Sequence, residues 1–150
     1  MRTVVGAALF IVLSYQPMAA ADNSDDQWIF RQTLASGNDE PTAIFLSWDY
    51  GAVLFRATCD RSTHELVLEY FGDGAIPLKA SDELTIHGTG TARLATQFVD
   101  GALQGRIDAA LLLAISDTDG LEIDAPNEMG EPWHTGRAEP LQRLARLCQE

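Results

Sequence analysis

The sequence has few positive charges. Its 150 residues include 10 lysines and arginines against 22 aspartates and glutamates, which gives a formal net charge of −12 at pH 7. Lys79 is the single lysine. A chain this acidic repels nucleic acids and anionic lipid surfaces and is attracted to cationic partners. The composition therefore argues against nucleic-acid binding and favours a cationic protein partner.

The sequence also lacks the common catalytic motifs. It contains no Gly-x-Ser-x-Gly motif and no glycine-rich loop that opens a helix to hold phosphate. The segment HELVL begins like the zinc-protease motif HExxH, but Leu68 stands where that motif requires its second histidine. We therefore expect no cofactor and no motif-borne catalytic residue. A carboxylate pair that acts on glycans stays an open alternative, because 22 acidic residues offer many pairs.

The three histidines, His64, His87 and His134, are far apart in the sequence, and none has another ligand residue at metal-site spacing. A zinc site could still assemble from them in space. Lone histidines of this kind are mostly surface residues, so we expect no metal site among them.

Long apolar runs are missing after the first part of the chain. The single such run, residues 3–13, follows a positive start and precedes small residues at Ala19 and Ala21, which is the pattern of a signal peptide and its cleavage site. The run is too short to span a bilayer, since a transmembrane helix needs about 20 apolar residues. We therefore predict a signal peptide over residues 1–21.

Removal of that segment leaves residues 22–150, which is the size of one domain. We expect a single β-rich domain in which residues 22–26 are a disordered tail. No repeat and no linker divides the segment. The mature protein is predicted to be periplasmic or secreted from a bacterium and not to insert into a membrane.

Cysteine is scarce, and the two cysteines are Cys59 and Cys148. An even number in an exported chain predicts a disulfide. The residues that share a predicted strand face with Cys59 are Val53, Phe55 and Ala57. The residues that share a predicted helical stripe with Cys148 are Leu141, Leu144 and Ala145. Because both faces should point to one core, the bond would tie the last helix to a central strand.

Strand patterns dominate the rest of the chain. Short alternating segments are separated by turn residues, and Asp100 followed by Gly101 is typical of a tight hairpin. Residues 106–116 change to a helical period that includes Ile107, which predicts a short helix. Pro140 suits the first turn of a C-terminal helix. The predicted fold is α+β and mostly β: a curved antiparallel sheet, a small barrel or a sandwich, with both helices packed on it.

The acidic segment SDTDGLEIDA, residues 116–125, places four carboxylates around Gly120. With Gly120 at position 6 of an EF-hand loop, Asp119 and Asp117 fit positions 5 and 3, but positions 1, 8 and 12 hold the wrong residue types. We favour an acidic hairpin whose apolar residues face inward. Asp117, Asp119 and Glu122 are kept as a weak calcium candidate.

The segment SWDYG puts two aromatic residues around a carboxylate at a strand end. Trp48, Asp49 and Tyr50 are therefore a possible binding surface, since such residues stack on sugars or anchor protein partners. The alternative, which we favour, is that Trp48 caps the core and Tyr50 shapes the turn.

The cysteine framework supports two resemblances. RATCDRSTHELVLEY followed by PLQRLARLC resembles small exported proteobacterial proteins of unknown function, in which two cysteines tie a β-core to a C-terminal helix. The same cysteine-then-hairpin start is similar to that of periplasmic lysozyme inhibitors of the MliC/PliC type, which are small disulfide-bonded β-barrels. Their serine-and-glycine loop, which enters the enzyme's cleft, is not found in this sequence.

These observations lead to an exported, non-enzymatic cell-envelope binding or accessory protein as the expected function. An inhibitor of a secreted hydrolase such as lysozyme is the first alternative. The second is an envelope-glycan enzyme with an unlocated carboxylate pair, and the third is a structural subunit that docks through an edge strand.

Overall fold

A computed structural model describes residues 27–32, 40–47, 50–116 and 120–150. The predicted signal peptide and the tail after it lie outside these residues. The alternating apolar segments form strands, as predicted. Their bounds are β1 (Gln27–Arg31), β2 (Thr42–Ser47), β3 (Ala52–Asp60), β4 (Glu65–Tyr70), β5 (Leu84–His87), β6 (Thr91–Val99), β7 (Ala102–Asp108), β8 (Glu122–Asp124) and β9 (Trp133–His134). The helices are α1 (Ala109–Ile115) and α2 (Glu139–Gln149).

The described strands form one antiparallel sheet in the order β1-β2-β3-β4-β7-β6-β5-β8-β9. The sheet curls like half of a barrel, and the two helices pack against it, so the predicted α+β, mostly β fold is confirmed. Neighbouring strands alternate in direction, so the β2–β3, β4–β5, β6–β7 and β8–β9 connections all lie at one end. We call this the rim end, because a rim of aromatic side chains described below lies there. We call the opposite end, where surface clefts lie, the cleft end.

The core lies between the inner face of the sheet and α2. Helix α2 contacts β1, β2, β3, β4 and α1. Its buried residues are Leu141, Leu144, Ala145 and Cys148, which is the stripe predicted from their spacing. On the same helix, the Arg143 guanidinium lies 4.2 Å from the centre of the Phe30 ring, which adds a cation–π contact to β1. Helix α2 therefore covers the first half of the sheet.

A bulge in β3 corrects one predicted strand face. Leu46 pairs with Val53 while Phe45 pairs with Phe55, so Leu54 is an extra residue in β3. Leu54 and Phe55 are both fully buried, whereas Val53 is half-buried. An extra residue reverses the alternation beyond it, so Val53 does not share the face of Phe55.

The first helix is shorter than its sequence pattern. Ile107, predicted on a helical face, belongs to β7, where it pairs with Leu66. The helix begins after Asp108, whose carboxylate accepts a hydrogen bond of 3.0 Å from Leu111 N–H and caps the first turn. A buried apolar residue fits both the helical and the strand period of a sequence. For Ile107, pairing with β4 fixes the strand conformation.

The hairpin between β6 and β7 turns at the predicted dipeptide. Asp100 has a φ of 50° and Gly101 a φ of 84°. A two-residue turn with both φ values positive matches the right-handed twist of the flanking strands, and Asp-Gly tolerates it well. The sequence prediction of this turn is confirmed.

A disulfide joins β3 to α2. Cys59 and Cys148 are bonded, and their Cα atoms are 5.5 Å apart. Nearby, His64 Nδ1 lies 2.8 Å from the backbone carbonyl oxygen of Cys148, so a hydrogen bond also holds the end of α2 to the β3–β4 turn. The predicted tie between a central strand and the last helix is therefore present.

Removing this bond should make the protein much less stable. The double variant Cys59→Ala, Cys148→Ala should lose about 2–5 kcal/mol of unfolding free energy, because the unfolded chain gains conformational freedom. Urea denaturation measures the loss. Dithiothreitol should destabilise the wild type equally and leave the variant unchanged, and a variant as stable as the wild type would contradict the structural role.

Candidate functional site

Three aromatic side chains meet at the rim end. We call Tyr50, Tyr70 and Trp133 the aromatic rim. The Tyr50 and Trp133 rings are 5.5 Å apart at 75°, an edge-to-face contact. Tyr50, just before β3, is 38% exposed, Trp133 is half-buried in β9, and Tyr70 is fully buried at the end of β4. Tyr70 and Trp133 thus form a fixed aromatic base for the exposed ring of Tyr50.

The Tyr70 hydroxyl anchors the loop beneath the rim. It donates a hydrogen bond of 2.6 Å to the backbone carbonyl of Pro126, in the β8–β9 connection. Burial raises the pKa of Tyr70 far above its ordinary value, so the phenol stays protonated and keeps its donor. On the other side, its ring stacks on Phe55 at 4.8 Å between ring centres. Tyr70 therefore links the core to the rim.

Asp73 joins two of the connections at the rim end. Its carboxylate accepts hydrogen bonds from the N–H groups of Ala75 at 2.9 Å and Ile76 at 3.4 Å, within the β4–β5 connection. It also accepts one of 2.7 Å from Glu128 N–H, in the β8–β9 connection. Desolvation alone would raise the pKa of Asp73, but the backbone donors outweigh it and hold that pKa below its usual value.

The predicted binding surface is described in part. Tyr50 lies on the surface at the rim end, while Trp48 and Asp49 lie outside the described residues. The sequence prediction did not include Trp133 as a partner of Tyr50. These two residues are far apart in the sequence, and only the curl of the sheet brings the start of β9 against the start of β3.

The weak calcium candidate is also described in part. Asp117 and Asp119 lie outside the described residues, and Glu122 lies in β8. The Glu122 carboxylate is 3.0 Å from His134 Nδ1 of β9. Leu121 and Ile123 are buried, as predicted. The predicted acidic hairpin itself is wrong, because this segment connects α1 to β8, and β8 pairs with β5 and β9. Among the described residues, no three His, Cys, Asp or Glu side chains are grouped, as they are placed, so that they could hold a metal ion.

A groove of about 510 Å³ lies at the cleft end of β3 and β4. Its lining residues are Glu40, Pro41, Thr58, Cys59, Asp60, Arg61 and Val67. Arg106 lies beside it, 2.9 Å from the carboxylate of Asp60 and 3.2 Å from that of Glu65. The Ser62 hydroxyl and then the Arg106 guanidinium lower the pKa of Asp60 to about 2. The carboxylate of Asp60 is therefore held as an anion in its ion pair with Arg106.

The electrostatics of the described carboxyl groups bear on the glycan-enzyme alternative. Each of those with a clear pKa shift, Asp60, Glu69 and Asp73, is shifted down. For Glu69, desolvation acts upward, but hydrogen bonds from Arg56 and Gln104 prevail. A general acid for glycoside hydrolysis needs a raised pKa. These three groups therefore suit structural ion pairs and hydrogen bonds rather than proton donation.

Comparison of the chain with protein-family models, with curated proteins and with solved structures finds no match. Neither described helix is long and apolar enough to cross a membrane. The aromatic rim, the disulfide and the negative charge are the features that bear on function.

The Tyr70 hydroxyl should contribute measurably to stability. Tyr70→Phe should lower the unfolding free energy by about 1–2 kcal/mol, because the carbonyl of Pro126 loses its donor in a partly buried place. Tyr50→Phe is the matched control and should change stability by less than about 0.5 kcal/mol, since that side chain is on the surface. Thermal and urea unfolding of both variants test this, and equal effects would contradict it.

Acid should destabilise the folded protein. Asp60, Glu69 and Asp73 have lowered pKa values in the folded state and ordinary values in the unfolded state, so the unfolded state binds more protons as the pH falls. Their contribution to the unfolding free energy is complete above about pH 5 and is lost as the pH falls through 4 towards 2. Urea unfolding across this range should show the decline. Asp60→Asn should flatten it between about pH 4 and pH 2, and an unchanged slope would contradict the assignment for Asp60.

Proposed function

We propose that this protein is an exported binding or accessory module of the bacterial cell envelope, and that it engages a cationic protein partner through the aromatic rim. The single observation that carries the proposal is the exposed ring of Tyr50 held edge-on by Trp133. Aromatic side chains on a fixed base lose little conformational entropy on binding and are common at the centres of interfaces.

The compartment is supported by two features. The disulfide between Cys59 and Cys148 is typical of proteins in oxidising compartments outside the cytosol. The first 21 residues have the pattern of a secretory signal. Together they favour a periplasmic or secreted protein.

The charge supports a cationic partner. The net charge is −12, and at the rim end Asp73 and Glu128 lie in connections that meet there. A lysine or arginine of a partner could stack on the Tyr50 ring while the acidic surface draws it in. Opposite charges mainly accelerate association and set specificity, whereas the aromatic contact supplies more of the affinity.

Inhibition of a basic secreted hydrolase such as lysozyme is the second candidate, and the negative charge favours it. It is a special case of a cationic partner. A lysozyme assay with added protein separates the two ideas: concentration-dependent inhibition supports the inhibitor, and full lysozyme activity at micromolar excess rejects it.

The rim proposal is tested with matched variants at Tyr50. Disulfide-bonded protein is immobilised, incubated with envelope extract, and the recovered partner is purified for titration calorimetry. Tyr50→Ala should weaken binding by about tenfold or more, whereas Tyr50→Phe, which keeps the ring, should bind like the wild type. Affinity should also fall with added salt.

Two outcomes would overturn the proposal. Recovery of the same partner, with the same affinity, by Tyr50→Ala would reject the rim as the binding surface. Finding the protein in the cytosolic fraction with its first 21 residues attached would reject export.

A further inference from the structure

The exposed large apolar side chains of the described residues are concentrated at the rim end. Five of the six lie in a connection there or within two residues of one, and these are Tyr50, Phe71, Ile76, Phe98 and Met129. The sixth, Leu111 on α1, lies at the cleft end. Single exposed apolar residues are normal on a protein surface, but a group of them at one place is typical of a binding site.

Met129 is the most exposed of these side chains, at 70%. It lies in the β8–β9 connection, where hydrogen bonds fix the shape of the chain. The Asn127 side chain donates to the carbonyls of Ala125 at 2.9 Å and Glu131 at 2.7 Å. It also accepts a hydrogen bond of 2.9 Å from Gly130 N–H. Met129 is therefore held out from a braced loop, so fraying of the chain does not explain its exposure.

Two other exposed side chains are tied to the same connection. Ile76 N–H and a backbone N–H of the β8–β9 connection both donate to the Asp73 carboxylate, at 3.4 and 2.7 Å. Tyr50 packs on Trp133, which begins β9 directly after that connection. We call Tyr50, Ile76 and Met129 the apolar patch.

Acidic side chains border this patch. Met129 stands in the sequence between Glu128 and Glu131, which are both exposed. Among the described residues, the rim-end connections carry a single lysine, Lys79, against six acidic residues: Asp73, Asp82, Glu83, Asp100, Glu128 and Glu131. An apolar patch with a negative border is complementary to an apolar surface with a positive border.

The structure of the rim end favours a helix as the partner segment. An extended segment binds mainly by adding a strand to a sheet edge, and the described connections at this end are turns and loops without such an edge. A helix satisfies its own backbone groups and presents apolar residues at positions i, i+3 or i+4, and i+7 on one face. Methionine suits such a contact, because its flexible thioether adapts to the residues that it meets.

We propose, on the basis of the function proposed above, that the rim end docks a cationic amphipathic helix of the partner. The apolar face of that helix packs on the apolar patch. Its basic side chains lie along the border, next to the Tyr50 ring and beside Glu128 and Glu131.

The test is a fluorescence-anisotropy titration of the disulfide-bonded protein into a labelled synthetic helix of leucine and lysine. The peptide is about 18 residues long, with leucine at the helical spacing. It should bind in a saturable manner, and its affinity should fall with added salt. Two control peptides, with glutamate in place of lysine or glutamine in place of leucine, should not bind. Equal binding of the lysine–glutamine peptide would show attraction by charge alone and overturn the proposal.

Matched variants locate the docking surface. Met129→Gln keeps the length of the side chain but makes it polar, so it should weaken binding of the leucine–lysine peptide by about tenfold. Met129→Leu, which stays apolar, and Leu111→Gln, at the cleft end, should bind like the wild type. The double variant Glu128→Gln, Glu131→Gln should weaken binding and reduce its dependence on salt. Circular dichroism should show that all variants are folded, and unchanged affinity in Met129→Gln would overturn the proposal.

Failure of this docking mode is distinguishable from failure of the proposed function. An envelope partner whose binding needs Tyr50, together with no binding of the leucine–lysine peptide, would overturn the helix and leave the proposed function standing. Peptide binding that needs Met129, with no partner recovered from envelope extract, would support the docking surface and count against the proposed function.

Discussion

The disulfide between Cys59 and Cys148 is the constraint on which the rest of the structure depends. It fixes α2 to β3, and α2 in turn covers the first four strands with its buried stripe. A short amphipathic helix is only marginally stable in isolation, and most of its stability in a protein comes from packing. Because the covalent link keeps α2 over the curled sheet, the inner face stays closed to water and the strand ends keep their relative positions.

The two ends of the sheet then acquire different chemistry. At the rim end, buried rings continue outward from Phe55 through Tyr70 to the partly exposed Trp133 and Tyr50. At the cleft end lie charged groups, in the ion pairs of Arg106 with Asp60 and Glu65 and in the contact of Glu122 with His134. Ion pairs hold the carboxylates of Asp60 and Glu69, and backbone N–H groups hold that of Asp73.

Much of the fold could be predicted because local patterns agree with it. The stripe of α2, the Asp100–Gly101 hairpin and the alternating strands each follow from spacing and turn chemistry. The bulge at Leu54 could not be predicted, since an extra apolar residue leaves no mark on the pattern. Ile107 fits both the helical and the strand period, and its pairing with Leu66 makes it part of a strand. The contacts of Tyr50 with Trp133 and of Glu122 with His134 depend on strand order and curl, which sequence spacing does not encode.

The bond that closes the fold spans 89 residues. If the protein is exported amino terminus first, Cys59 reaches the oxidising compartment well before its partner. During that interval a thiol at the end of β3 meets only cysteines of other chains. Arrival of α2 ends this exposure, because the helix delivers the second sulfur to the strand as its apolar stripe docks. In an exported chain, folding and oxidation would then be coupled, because docking of the apolar stripe of α2 would bring Cys148 to Cys59.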